Sequence, residues 1–292
     1  MAGHRELEAR PLPGAVTALL GTDIVDHPGA GACRVVSGGG LVAKVGPPDV
    51  VAREASVLAT PLPVSVPLLV DAGPGWLVMT AEDDDESPWE ERDLHAALAD
   101  LARLHDAFQS FTLEDGDAFM RRPFSPEGVE ALLGPIRDLS FPLPGALVDV
   151  LDDPTPIVAA AEAEPVTVLH GDPWPANILR PAPDRRVWVD WELASLGPAA
   201  ADVASWLGQT PWHTGAPVDG HLDAYLAARS LPTDRPRFER ALDAATVLWF
   251  LAYDVPELAA GRRPGRAWPE SAMTRPLAAA ERLASSAAER PS

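Results

Sequence analysis

The run His170-Gly171-Asp172-Pro173-Trp174-Pro175-Ala176-Asn177 places a carboxylate and a carboxamide five residues apart in one short loop. The apolar stretch Val187-Trp188-Val189 then leads into Asp190, thirteen residues past Asn177. A loop with an acid and an amide, met by a second acid at the end of the next strand, can hold a divalent cation on a nucleotide and align an attacking hydroxyl. In that reading Asp172 orients, and deprotonates, an acceptor hydroxyl, while Asn177 and Asp190 offer oxygens to Mg2+. Two plainer readings compete with it: a capped turn after a strand, and a fragment of a metal hydrolase. The hydrolase needs further ligands close by, and the seven histidines are scattered. His170 follows the apolar strand Val166 to Leu169 and reads as a buried structural residue rather than a base.

A nucleotide also needs a cation. Arginine outnumbers lysine twenty-two to one, and Lys44 is the sole lysine. A chain that uses Arg for every generic positive charge keeps Lys where a compact ammonium is required. Ten residues on, Glu54 has Val50 and Val51 before it and Val57 and Leu58 after it at helical spacing, which sets a carboxylate on an apolar face. Such a carboxylate must be paired. Lys44 on a strand and Glu54 on the following helix form the expected pair, with the ammonium aimed at phosphates.

The elements that must position these groups change in character along the chain. Residues 20 to 80 read as strands with one helix: strands at Thr22 to Asp26, Ala32 to Ser37, Leu41 to Val45, Val66 to Val70 and Trp76 to Thr80, and a helix from about Pro48 to Ala59. Gly29 and Gly31 give a weak phosphate-loop signal that serves equally as a turn. The acidic run Glu82 to Glu86 reads as a link between lobes. Beyond it the pattern is helical. Leu94, Leu98, Leu101, His105 and Phe108 share one face, as do Phe238, Leu242, Ala245, Trp249 and Ala252, so Trp249 is expected in the core. Proline-rich segments near 122–126 and 141–144 separate further helices, and the tail from Leu277 reads as a loose terminal helix.

At 292 residues the chain suffices for one large domain or two modest ones. A net charge of −20 argues against nucleic acid and anionic membranes as partners, while it suits a cationic small molecule or simple solubility. One cysteine, Cys33, excludes an intrachain disulfide and a metal–thiolate cluster. With no secretory apolar segment and no bilayer-length apolar run, a cytoplasmic protein, monomeric or homodimeric, is expected.

Together, Leu-Val-Ala-Lys44, Arg53-Glu54-Ala55, Leu-Ala-x-Leu-His105, HGDPWPANIL and VWVDWELASLGPAAADVA resemble the aminoglycoside phosphotransferase family of small-molecule kinases, over residues 20 to 255. The resemblance implies an α+β fold of protein-kinase type: a nucleotide-binding lobe over 1–81, with an antiparallel sheet and one helix, and a mainly helical lobe over 82–292 for catalysis and acceptor binding. It implies ATP or GTP with Mg2+ as cofactors. Lys44, held by Glu54, would meet the α and β phosphates, and Asp172 would be the catalytic aspartate. Asn177 and Asp190 would ligate the metal, Asp202 would brace the catalytic loop with His170 beside it, and a hinge at Met79-Thr80-Ala81-Glu82 would carry the base.

Pro173-Trp174 departs from the family's usual Leu-His or Leu-Gly. Trp174 either faces the acceptor pocket or wedges between loop and helix. Glu192, after Asp190, reads as structural. For the acceptor, the 82–86 acidic run, Asp219, Asp223, Asp254 and Glu257, with Trp206, Trp212, Trp249 and Tyr225 nearby in sequence, suit an ammonium group, though each taken singly reads first as solvated surface or core. The expected activity is ATP-dependent phosphorylation of a small-molecule hydroxyl, on a cationic antibiotic such as an aminoglycoside or on a metabolite such as choline, an amino sugar, a hydroxy amino acid or a nucleoside-like compound. A catalytically silent ATP-binding protein and a metal-dependent phosphoesterase are the competing classes.

Overall fold

A computed structural model describes residues 11–27, 32–85, 87–109, 122–261 and 270–288. The glycines at 29 and 31 lie outside these residues, as does Glu86 of the acidic run. The chain divides into two compact units. Of the described residues, the first gathers those within 11–89 and 176–194, and the second those within 90–109, 122–175 and 195–288.

The first unit is built on a five-stranded antiparallel sheet. Helix α1 (Gly14–Leu20) precedes β1 (Val25–His27), β2 (Arg34–Gly38) and β3 (Leu41–Val45); α2 (Pro48–Ala59) then leads to β4 (Leu69–Gly73) and β5 (Trp76–Thr80). The order across the sheet is β1-β2-β3-β5-β4. Strand alternation sorts the side chains. Val36, Ala43 and Val78 join Val16 and Leu20 of α1 in a core on one face. Lys44, paired in register with Val35 and Leu77, projects from the other. Strands β1 and β4 begin three residues further along the chain than the apolar runs suggest. Val25 of β1 and Val70 of β4, the two edge strands, and Leu68 just before β4 are exposed, so apolarity there marks no core.

Residues 176–194 complete this unit. A 3₁₀ turn, Pro175–Asn177, enters the hairpin of β7 (Ile178–Ala182) and β8 (Arg185–Trp188). The Trp188 N–H donates to Ser65 O at 2.8 Å and fastens the hairpin. The acidic run lies along it: Asp84 accepts the Arg180 N–H at 2.9 Å, Asp85 O accepts the Arg180 guanidinium at 2.6 Å, and that guanidinium stacks 4.5 Å over Trp89.

The second unit is mainly helical. Helix α3 (Glu91–Ala107) starts at a capping box of Glu90 and Asp93 and buries Leu94, Leu98, Leu101 and His105. It is followed by α4 (Pro126–Arg137), α5 (Gly145–Asp152) and α6 (Thr155–Glu162). Strand β6 (Val166–Leu169) pairs antiparallel with β9 (Ser195–Pro198). Then come α7 (Ala200–Thr214), α8 (His221–Ala228) and α9 (Arg235–Trp249), which runs through one π-helical turn, Phe250–Asp254, into α10 (Val255–Ala259). The last helix, α11 (Glu270–Ala288), is docked rather than loose: Ala279, Ala280 and Leu283 are buried. Trp249 is half-buried instead of enclosed, because its indole N–H reaches Ala201 O at 3.0 Å and its ring leans on exposed Tyr253.

Beneath α7, His221 Nδ1 accepts the Trp206 indole N–H at 3.0 Å. Burial, then the neighbouring His95, push the His221 pKa below the ordinary 6.5, against the pull of Glu91 and Asp219. A histidine depressed by folding contributes stability above its unfolded value and loses it as pH falls through the folded value. In urea unfolding, His221→Gln should therefore lose less stability than the parent between about pH 7 and pH 5. Parallel loss in both proteins would show that His221 is not the acid-sensitive group.

Candidate active site

The β7–β8 register explains the thirteen-residue spacing. Ile178 pairs with Trp188, and the Val189 N–H donates to Asn177 O at 3.0 Å, so the hairpin returns Asp190 beside Asn177. Asp190 adopts φ 64° and ψ 59°, and is the one non-glycine residue at positive φ among those described. Such a conformation costs about 1–3 kcal/mol and persists where the surroundings over-determine it.

Those surroundings are Lys44 and α2. Lys44 Nζ lies 2.9 Å from Glu54 Oε2 and 2.5 Å from Asp190 Oδ1. Glu54 also accepts the Trp191 N–H at 3.3 Å, and its neighbour Arg53, itself buried, donates to Glu192 O at 2.6 Å. Two adjacent residues of α2 thus grip the backbone just past Asp190. Burial alone would push the Lys44 pKa down, but the carboxylates of Glu54 and Asp190 outweigh it and hold the group cationic.

Lys44, Asn177 and Asp190 line a cavity of about 280 Å³, near the lower end of small-ligand sites, roughly 300–1,000 Å³. Val35, Val42, Pro67, Met79, Leu179 and Val189 form its apolar walls, suited to a flat ring. Thr80, Glu82 and Glu192 complete the polar lining. The Thr80 N–H is bonded to Leu68 O and its hydroxyl accepts the Leu68 N–H, each at 3.0 Å; the Ala81 N–H is bonded to Gly40 O at 3.0 Å. The Thr80 and Ala81 N–H groups are therefore already committed within the unit. The Glu82 carboxylate is itself engaged by Arg185 at 2.9 Å. Cys33 also lines the cavity, but burial, then Glu192, push its thiol up to about 12, so it stays protonated.

Among the described residues no group of three His, Cys, Asp or Glu side chains could hold a metal alone. Asn177 and Asp190 supply two hard oxygen donors. That number fits Mg2+, which takes one or two protein ligands and completes its shell with phosphate and water.

The second unit holds Asp172, His170 and Asp202. Asp202 is buried and accepts the His170 N–H at 2.7 Å and the Gly171 N–H at 3.0 Å. Gly171 at φ 87° makes the turn that aims both amides at one carboxylate. His105 Nε2 lies 3.1 Å from Asp202 and His105 Nδ1 lies 2.7 Å from the Tyr225 hydroxyl, so the histidine on the apolar face of α3 is a ligand of the brace. His170 Nδ1 accepts the Asp172 N–H at 3.3 Å and is fully buried, which leaves it a structural acceptor. Asp172 itself is half-buried and takes the Trp174 indole N–H at 3.1 Å and the Gln209 amide at 2.6 Å. Of the suggested acceptor residues, Trp206 and Tyr225 are fully buried core, and Asp223 is paired with Arg235 at 2.7 Å.

Sequence reasoning missed Arg53 and Gln209. Arg53 carried the signal of a charge at the edge of an apolar stripe; Gln209 carried none taken alone.

The fold, an antiparallel sheet with one helix beside a mainly helical unit, is of the protein-kinase-like type. The model of the phosphotransferase enzyme family matches residues 39–242, and the chain belongs to that family. No curated protein matches. Among solved structures the chain is similar to a choline/ethanolamine kinase family protein from Mesorhizobium loti (20% identity, 99% of this chain and 94% of that one, TM-score 0.58). It is also similar to the amicoumacin kinase hAmiN in complex with AMP-PNP, Ca2+ and Ami (13% identity, 97% and 96%, TM-score 0.61). A third is APH(2")-IIa in its gentamicin complex (12% identity, 94% and 97%, TM-score 0.62). At these identities the likeness is one of fold.

The buried ammonium supplies a test that needs no substrate. Glu54→Leu should cost about 3 kcal/mol or more, because it removes one partner of a buried pair. Lys44→Met/Glu54→Leu together should recover most of that loss in urea unfolding. A double variant as unstable as the single one would mean that packing, not charge, fixes α2 there.

Proposed function

We propose that this protein transfers the γ-phosphoryl group of ATP to a hydroxyl of a small molecule. The observation that carries the reading is the Lys44 ammonium, buried between Glu54 and Asp190 in the wall of a cavity that also presents Asn177. Arg would satisfy a surface ion pair; a buried point charge between two acids suits a phosphate ligand.

In this reading residues 1–81, with the hairpin that carries Asn177 and Asp190, bind the nucleotide, and residues 82–292 otherwise provide catalysis and the acceptor site. Lys44 neutralises phosphate oxygens and Glu54 keeps it extended. A bound Mg2+ would supply charge neutralisation across the phosphates. The hinge from Thr80 to Glu82 borders the base. Asp172 accepts the hydroxyl proton and orients the attacking oxygen, His170 shapes the loop, and Asp202 fixes it. Phosphoryl transfer draws mainly on positioning and charge stabilisation, so no strongly perturbed base is needed.

The acidic balance favours a cationic acceptor, of which an aminoglycoside-like antibiotic is one case and an amino-alcohol metabolite another. Proteins of similar fold include a choline/ethanolamine kinase family protein and an aminoglycoside 2'-phosphotransferase. Purified protein with Mg-ATP and a panel of hydroxylated antibiotics and metabolites should yield one product heavier by a phosphate in mass spectrometry. Asp172→Ala should lower that transfer by about a thousandfold or more while Mg-ATP affinity changes less than about threefold. Undiminished transfer by Asp172→Ala would remove the assignment.

A further inference from the structure

Asp202, Ser205, Gln209 and His213 fall on α7 at steps of three, four and four, so they share one face of the helix. Each meets the catalytic loop or a residue that does. Asp202 holds the His170 and Gly171 N–H groups. Gln209 Nε2 donates to Asp172 Oδ1 at 2.6 Å and to Ser205 Oγ at 2.8 Å. The His213 ring meets the Trp174 ring edge-on, 5.4 Å between centroids at 77°. Trp174 Nε1 in turn donates to Asp172 Oδ2 at 3.1 Å. The indole can turn back on an acid two residues earlier because the Trp174 N–H bonds to Asp172 O at 3.0 Å, closing a three-residue turn on Pro173.

We infer that Gln209 and Trp174 are positioning residues that clamp one oxygen each of the Asp172 carboxylate, with the polar face of α7 as the common ruler. The inference rests on the kinase reading, for which Asp172 is the base. A carboxylate on a short side chain rotates freely about its last bond. A donor on each oxygen fixes its plane, and both donors favour the charged form that accepts a proton. Asp202 sets the height of the loop backbone, Gln209 sets one carboxylate oxygen, and His213 sets the indole that holds the other. The Pro173-Trp174 pair is therefore part of the base's support. The two arms make the oxygens inequivalent, so an acceptor hydroxyl meets a carboxylate of one fixed orientation.

The test uses the full chain. Gln209→Met keeps length and volume and removes the donor; Trp174→Phe keeps the ring and removes the N–H. Each should lower kcat for transfer from Mg-ATP, to panel acceptors or to water, by about ten- to a hundredfold, with KM for Mg-ATP unchanged. Gln209→Glu should fall further at neutral pH, where it sets a like charge beside Asp172, and should recover relative to wild type as pH falls and the new acid becomes a donor. A packing role would make Glu, nearly isosteric with Gln, the mildest change at every pH. In ¹⁵N-tryptophan-labelled protein the indole resonance lost in Trp174→Phe should move upfield in Asp172→Asn, with no acceptor required. An unmoved resonance, or wild-type kcat in both Gln209→Met and Trp174→Phe while Asp172→Asn is inactive, overturns the clamp alone. Full activity in Asp172→Asn overturns the kinase reading instead.

Discussion

One buried ammonium between two carboxylates organises the first unit. Lys44 leaves β3 on the face opposite the α1 core and is itself buried between its two partners. Charge in such a place is costly unless it is matched. The match dictates where α2 lies, through Glu54, and what the chain does after β8, through Asp190. The left-handed backbone of Asp190 follows from the same requirement, because its carboxylate must face Lys44 while the next N–H turns to Glu54. A guanidinium is planar, larger and forked, and would not fit between two single oxygens 2.9 and 2.5 Å away. In a chain otherwise given to arginine, that explains the one lysine.

The second unit solves a similar problem with the opposite sign. Asp202 buries a negative charge, and its partners are peptide N–H groups and His105 rather than a lysine. Hydrogen bonds to a carboxylate from backbone amides are charge-assisted and have little freedom to relax. The loop that carries Asp172 is thereby tied to helix α7 through main chain, and substitutions of the loop side chains leave that tie in place. His105 extends the tie to Tyr225, and Arg229 holds the Tyr225 hydroxyl while pairing with Asp106, so α3, α7 and α8 share one polar seam inside an apolar core. Burial pushes the Tyr225 hydroxyl up and keeps it protonated.

How far the sequence could be read depended on the range of the interaction. The α2 and α3 faces were legible because burial repeats at helical spacing within one element. The pairing of Lys44 with Glu54 was legible because an apolar stripe containing an acid has few solutions. The approach of Asp190 to Asn177 was legible from the apolar strand 187–189 that ends at Asp190, while the hairpin that carries it became visible only in the pairing of β7 with β8. Edge strands were misplaced, because Val25, Leu68 and Val70 are apolar without being buried. The docked tail and half-buried Trp249 were misjudged for the same reason: burial there depends on a partner helix distant in sequence. Arg53 reads as an exposed cation until the 190–192 backbone is beside it. Gln209 is one polar residue on a helix until Asp172 is in view.

The acidic surplus shows why composition says less than position. The run from Glu82 is the densest negative stretch in the chain, and its place after the hinge made it a candidate for binding a cationic ligand. Arg180 and Arg185 engage it instead: Glu82 is paired, Asp84 caps a β7 amide, and the Asp85 and Ser87 carbonyls hold the guanidinium of Arg180. A carboxylate already matched to an arginine offers an incoming cation an exchange of partners, with little net gain in a high-dielectric surface setting. Its role is to strap the segment along the hairpin whose other end presents Asn177 and Asp190.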